Sequence, residues 1–259
     1  VVKHLESIGQ RSINNIVDLT NYVMFSIGQP LHAFDARKLS HENGHHIIVR
    51  DAQEAESITT LTGETYTLSK GEALIVDGGT NTPIGIAGIK GGKRAAVEES
   101  TIDILLESAH FDSVAIRRSS GRLKLRTDAS QRYENNISRS MAGYGVVLGA
   151  ECIKKFCGGD IVGYVDTNPE PVVRTPVSLP LTKINNVLGL SLTLDEVQTI
   201  FSRFGYAHRI DGESITVTPP HERPDLVIPE DIIEEIGRIY GYEHVASVVP
   251  HTVPLTELN

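Results

Sequence analysis

Ser12–Asp35, SINNIVDLTNYVMFSIGQPLHAFD, decides how the rest of the chain is read. Ile13, Ile16, Val17, Val23, Met24 and Ile27 fall on one stripe at helical spacing, with Asn14, Asn15, Asp18 and Asn21 off it. Ser12 is placed to cap the helix, Gly28 to end it in a left-handed conformation, and Pro30 to forbid its continuation. The chain then presents His32 and Asp35 around Ala33 and Phe34. Asparagines are costly inside a helix, because each amide competes for backbone hydrogen bonds. Either these amides cap and bridge along a polar edge, or they line a polar pocket.

Working outward, the residues after Asp35 read as short strands, at His46–Arg50, Tyr66–Leu68, Ala73–Val76 and Ile84–Ala87. Turns at Thr62-Gly63, Lys70-Gly71 and Asp77–Asn81 separate them. Ile102–Glu107 is an apolar run ending in one acid, and Phe111–Ser119 is helical or turn-like. Arg122–Arg126 alternates with period two, which predicts a strand with one basic face. Asp128 or Ser130 caps the next turn. Ser138–Phe156 is a long helix whose small residues admit a closely packed neighbour, and Gly158-Gly159 ends it. The fold class is α+β, with a mixed-sheet domain over residues 1–166.

Asn168–Pro171 is a linker by composition. Beyond it, residues 172–247 read as helix, helix, hairpin, helix. Leu181–Leu188 is followed by Gly189, Thr193–Glu196 is a capping box, Asp211-Gly212 turns the hairpin, and Pro229 opens the last helix. That is a winged-helix-like order. Residues 248–259 read as a linker toward a missing domain, and a start at Val-Val-Lys, without Met, predicts a piece of a longer protein.

A chain of 259 residues suits two domains, and 40% hydrophobic with 22% charged residues describes a globular protein. No apolar run approaches a membrane span and no signal peptide opens the chain. Cys152 and Cys157 are too few for a disulfide scaffold and lack zinc spacing, which fits a cytoplasmic location. A net charge of −9 argues against broad nucleic-acid binding but leaves room for a local basic patch. Arg117, Arg118, Arg122, Lys124, Arg126 and Arg132 make such a patch, either a solvated face or a guide for phosphates.

Gly85–Lys93 is not a phosphate loop, since Ala87 and Arg94 stand where Gly and Ser/Thr belong. Gly88 there either marks a tight bend or leaves room for a ligand against the backbone. Glu107, at the end of an apolar run, needs an ion-pair partner, a ligand or a raised pKa. Asp225, Asp231, Glu234 and Glu235 crowd the start of the last helix. They either complement the helix dipole or form an all-oxygen Mg²⁺ site. The acidity of that helix makes DNA an unsuitable partner for the winged-helix-like domain.

SINNIVDLTNYV and GQPLHAFDA, with IGIAGIKGG, LLESAHFD, RTDASQRYE, CGG and RPDLVIPEDIIEEIGRIYGY, resemble in order the beta chain of bacterial phenylalanyl-tRNA synthetases. The resemblance implies an editing domain that hydrolyses tyrosine misattached to tRNA(Phe), followed by an assembly domain. In it Glu107 accepts a hydrogen bond from the tyrosine phenol, and Gly88, Thr127 and Ala129 bound the pocket. Thr20, Asn21 and His32 match positions that hold the terminal adenosine ester and the hydrolytic water. Arg117, Arg118, Arg122, Lys124 and Arg126 are the candidate tRNA contacts.

The same resemblance implies a magnesium at Asp225, Asp231, Glu234 and Glu235, completed by a partner alpha chain in an α2β2 enzyme. Ligation with ATP then belongs to that assembly. No Ser-His-Asp or Cys-His set stands out, so the implied chemistry is direct water attack on the ester. A second class stays open, a non-catalytic module that binds an amino acid or an RNA end.

Overall fold

The computed structural model describes residues 1–42 and 44–247; the linker expected at 248–259 lies outside the described residues. The chain divides into two compact units, Val1–Val172 and Val173 onward.

The first unit begins with α1 (Val2–Ser7) and α2 (Asn15–Ile27), followed by β1 (Leu31–Asp35). Asn14, not Ser12, caps α2, its side chain accepting from the Val17 amide at 2.9 Å. Ser12 serves Asp18 instead. Buried Asp18 receives the Ser12 hydroxyl at 2.5 Å and the Ile13 amide at 2.8 Å, so the segment before the helix wraps an inward carboxylate. Ile13 therefore lies outside the helix and faces solvent, while Leu19, Val23 and Met24 form the buried stripe. Gly28 ends α2 at φ 79°, as the stop signal requires.

The strands that follow are β2 (Ile47–Asp51), β3 (Ser57–Thr59), β4 (Thr65–Thr67), β5 (Ala73–Asp77), β6 (Thr82–Ile86), β7 (Lys90–Gly91) and β8 (Ile104–Ser108). They divide among antiparallel ladders: a sheet in the order β2-β5-β6-β7, the hairpin β3-β4, and the pair β1-β8. The helices α3 (Ser113–Leu123), α4 (Asp128–Tyr133) and α5 (Met141–Cys157) complete the unit.

The strand expected at Arg122–Arg126 is absent. Helix α3 runs to Leu123, Lys124 is its left-handed C-cap at φ 52°, and Leu125 turns back into the core. A helix end with apolar residues on either side of a left-handed cap imitates strand alternation. Thr127, rather than Asp128 or Ser130, caps α4, in a reciprocal box with Ser130.

Helix α5 packs Gly145 and Gly149 inward. A Cβ on Gly145 would lie 2.5 Å from Gln29 Cγ, and one on Gly149 2.6 Å from Leu31 Cδ1. The Ser108 hydroxyl donates to the Ala142 carbonyl at 2.7 Å. The small residues thus let α5 lie directly on the β1–β8 ladder.

In the second unit, β9 (Val177–Pro180) leads into α6 (Leu181–Leu188), α7 (Leu194–Phe204), β10 (Ala207–Asp211), β11 (Ser214–Thr218) and α8 (Pro229–Tyr240). The helices and hairpin stand where the spacing predicts them, and Thr193 and Glu196 form the capping box. Strand β9 is an addition, pairing with β11 in an antiparallel sheet ordered β10-β11-β9. Leu179, Ile184, Val197, Phe201, Ile215, Ile232 and Ile236 fill the core between sheet and helices.

Candidate active site

The antiparallel register of β1 and β8 sets His32 directly opposite Glu107, and Phe34 opposite Leu105. Opposed residues of such a pair share one face. The other face carries Leu31 and Leu106 and is covered by α5. Residues distant in sequence thereby become neighbours through backbone pairing alone. The His32 ring also meets Phe34 edge-on, with centroids 4.5 Å apart.

Each residue keeps some solvent contact, yet protein surrounds its ionisable end. Burial pushes the Glu107 carboxyl up to about 7 and the His32 imidazole down to about 4. Near pH 7 the histidine is therefore neutral, and the carboxyl divides between its two forms. Glu107 Oε2 is buried and has no hydrogen-bond partner. A buried polar atom of this kind is costly unless something occupies it.

The walls come from three further segments. A Cβ on Gly91 would lie 2.4 Å from His32 Cε1 and 2.7 Å from its Nε2, so only glycine at that point of β7 admits the ring. Gly88, at φ 66°, turns its α-carbon toward Ile116, Phe111 and Tyr133. The backbone approach expected at Gly88 is thus met by side chains of the unit itself. Thr127 donates its hydroxyl to the Ile89 carbonyl at 2.8 Å, tying the start of α4 to the turn between β6 and β7. Half-buried Ala129 packs against the cluster that contains Ile86, Ile89, Ile116 and Tyr133.

Burial and then the charge of Glu107 raise the Tyr133 phenol, which brings this side chain into the same neighbourhood. Its hydroxyl is shared with Gln29 and two backbone carbonyls. Sequence reading missed Gln29, Gly91 and Tyr133. The motif GQPLHAFD contains Gln29, but nothing local marks it apart from a loop residue.

Thr20 and Asn21 stay on α2, beside β1. Thr20 is buried and donates its hydroxyl to the Val17 carbonyl at 2.8 Å. Among the described residues, no hydrogen bond joins either to His32 or Glu107. Asn14 and Asn15 serve the backbone, as cap and as acceptor from Ile16.

The basic patch is largely paired internally. Arg122 grips the buried Glu72 carboxylate through Nε at 2.7 Å and also through Nη2, and Arg126 pairs with buried Glu134. Arg117 donates to the Glu134 carbonyl, while Arg132 bonds the Asp128 carbonyl and stacks over Phe25 at 4.7 Å. Arg118 and Lys124 are exposed.

Of the four acids of α8 and its approach, Asp225 and Glu235 share the Arg223 guanidinium. Arg223 donates to Asp225 at 2.9 Å and to Glu235 at 2.8 Å, and Arg238 takes the other oxygen of Glu235 at 2.5 Å. Asp231 accepts from the Val227 and Ile228 amides at 2.8 Å each, acting as an N-terminal cap, and Glu234 is exposed. Among the described residues no three His, Cys, Asp or Glu side chains gather as a metal site. Within this chain, two of the acids expected to hold Mg²⁺ pair with arginines and one with backbone amides, and the expected set draws a further ligand from an alpha chain. Arg223 holds Asp225 below the usual carboxylate range, and the arginines hold Glu235 below it against the opposing effect of burial.

Residues 1–158 match the family model of the B3/4 domain, and residues 177–242 match that of the tRNA synthetase B5 domain. The chain belongs to the B3/4 family. Among similar proteins is the phenylalanine–tRNA ligase beta subunit of Syntrophotalea carbinolica, 37% identical over 255 residues, which cover 96% of this chain and 31% of that one. The same subunit of Halalkalibacterium halodurans is 38% identical over 247 residues, covering 95% and 30%. That of Listeria monocytogenes serovar 1/2a is 39% identical over 249 residues, covering 96% and 30%. The chain thus spans a little under a third of the length of these curated relatives, as a B3/4–B5 segment related to phenylalanine–tRNA ligase beta subunits. None of its described helices is long and apolar enough to cross a membrane.

Proposed function

We propose that the first unit hydrolyses the tyrosyl ester of mischarged tRNA(Phe), with Glu107 recognising the phenol of the misattached tyrosine. The observation that carries this reading is the buried, unpartnered Oε2 of Glu107, opposite His32 on the β1–β8 ladder. Phenylalanine lacks the hydroxyl and leaves that oxygen unsatisfied, a penalty of about 1–3 kcal/mol. At about 1.4 kcal/mol per factor of ten, this yields roughly 5- to 150-fold selection for tyrosine. A synthetic pocket that rejects one extra hydroxyl imperfectly needs such a second site.

With its pKa near 4, His32 is a poor proton acceptor at neutral pH but a good neutral hydrogen-bonding group. Its role is to orient the attacking water or the ribose beside the ester. Thr127 and Ala129 hold the ring of the bound amino acid, and Thr20 and Asn21 support this wall from α2. Arg118 and Lys124 meet the phosphates of the acceptor strand. ATP-dependent phenylalanine ligation belongs to a cytoplasmic α2β2 assembly in which an alpha chain joins this beta chain, with the second unit as an assembly element.

The test is deacylation of tyrosyl-tRNA(Phe) by the assembled enzyme and by this chain. Hydrolysis that falls by about 10-fold or more in Glu107→Ala supports the reading, since the variant removes a charge-assisted hydrogen bond. Binding without hydrolysis would make the unit a recognition module. Undiminished hydrolysis by Glu107→Ala would sink the role given to Glu107.

A further inference from the structure

We propose that Lys93 and Arg94 form a phosphate-contact point for the last single-stranded linkages of the RNA whose 3′ ester lies beside His32. The inference rests on the ester site proposed above and adds which cations hold the strand nearest to it.

The two residues follow β7 directly, in Gly91-Gly-Lys-Arg-Ala95, and anchors on both sides fix the segment that carries them. Its start is Gly91, where a Cβ would lie 2.4 Å from His32 Cε1, so the imidazole sits against this backbone. Next, the Gly92 amide donates to the Ile84 carbonyl at 2.8 Å and the Lys93 amide to the Thr59 carbonyl at 2.9 Å. At its end, the carbonyl of buried Ala95 accepts the Asp35 amide at 3.0 Å. Asp35 closes β1, on which His32 stands about 10 Å earlier at the usual rise of a strand. Lys93 and Arg94 are exposed between these two points of attachment to β1 and its histidine.

The neighbouring cations are already engaged. Lys90 pairs with Glu64 at 3.3 Å, Lys38 with Glu98 at 2.7 Å, and Arg37 with Asp103 at 2.7 Å. On the far side of the unit's sequence, Arg122 and Arg126 pair with the buried acids Glu72 and Glu134. Among the described residues, the side chains of Lys93 and Arg94 make no hydrogen bond or ion pair. An RNA end that approaches a chain of net charge −9 meets repulsion, and two adjacent uncommitted cations reverse the sign locally where the ester must arrive.

The experiment uses the whole chain and a hairpin RNA that ends in the single-stranded 3′ terminus of tRNA(Phe), with affinity read by fluorescence anisotropy over a range of salt. Lys93→Gln/Arg94→Gln weakens binding by roughly 10-fold or more at about 0.1 M salt. It also flattens the log–log salt slope by about 1.4, the counterion release of two single-strand phosphates. A second RNA carries neutral methylphosphonates at its last two linkages. Wild type binds it about as weakly as the variant binds the natural RNA, and the variant loses little more with it, because cation and phosphate belong to one contact. Arg118→Gln/Lys124→Gln supplies the contrast, since its loss adds to that of the methylphosphonates.

An unchanged slope in Lys93→Gln/Arg94→Gln, losses that add to those of the methylphosphonates, or no binding by wild type at low salt would overturn the inference. Additive losses together with intact hydrolysis of tyrosyl-tRNA(Phe) sink this contact alone. Non-additive losses without any hydrolysis leave the contact standing and sink the editing reading instead. If the double variant does not fold, Arg94→Gln alone decides, with a slope change of about 0.7 expected.

Discussion

The β1–β8 ladder and the start of α8 both gather ionisable side chains, and they treat them in opposite ways. In the ladder, Glu107 and His32 face each other without compensating charges, and burial drives both toward neutrality. Around α8, Asp225, Asp231 and Glu235 each find a guanidinium or backbone amides, and Asp225 and Glu235 stay charged. The difference separates a carboxyl left without a partner from carboxylates already held by arginines and amides.

The pH dependence of stability offers the largest break in this contrast. Glu107 is raised from 4.5 to about 7, so the folded chain keeps a proton that the unfolded chain releases, and stability falls as pH rises between these values. His32 is lowered from 6.5 to about 4, so the unfolded chain binds the extra proton and stability rises as pH rises between these values. The two slopes oppose each other and largely cancel in wild type between about pH 4.5 and 6.5. Glu107→Gln leaves the histidine slope alone, a gain of up to about 3 kcal/mol from pH 4 to 6.5, whereas His32→Gln leaves a comparable fall from pH 4.5 to 7. Urea unfolding across this range checks both, and parallel profiles for wild type and variants would refute the neutral-pair picture.

At α8, Arg223→Met strands Glu235 with Arg238 as its one remaining guanidinium and costs about 2 kcal/mol in urea unfolding. Arg223→Met/Glu235→Met recovers most of that loss, because removing both partners leaves no orphan charge. An intermediate effect is expected at Thr127→Ala, which deletes both the α4 cap and the bond to Ile89. It costs about 1 kcal/mol, read as a drop in melting temperature. The smallest is Glu234→Gln on the exposed side of α8, within about 0.5 kcal/mol of wild type. A large effect there would mean that Glu234 shares in the network around Arg223.

The organisation of the chain was legible wherever local chemistry decides conformation. Gly28 and Pro30 stop α2, Thr193 and Glu196 start α7, and Asp211-Gly212 turns the second unit's hairpin, because each acts within a few residues of itself. Errors arose where two local solutions look alike. Ser12 and Asn14 are both competent caps, and the inward carboxylate of Asp18 claims Ser12. The alternation at Arg122–Arg126 suits a strand as well as a capped helix end, and burial of Leu125 selects the latter. Strand β9 carries little pattern of its own and exists because β11 offers it an edge.

By itself, then, the sequence determined the α+β class, the two-part organisation, most element boundaries and, through resemblance, Glu107 and His32 as residues of one site. Only the tertiary structure decided that these two are cross-strand partners, that Gly91 makes room for the imidazole, and that the Tyr133 phenol meets Gln29 and two backbone carbonyls. It also decided that Arg223 folds back onto Asp225 and Glu235. The physical reason is common to all of these. Helix periods, caps and turns are short-range and written in adjacent residues, whereas a buried group's partners come from strand register and packing between distant segments.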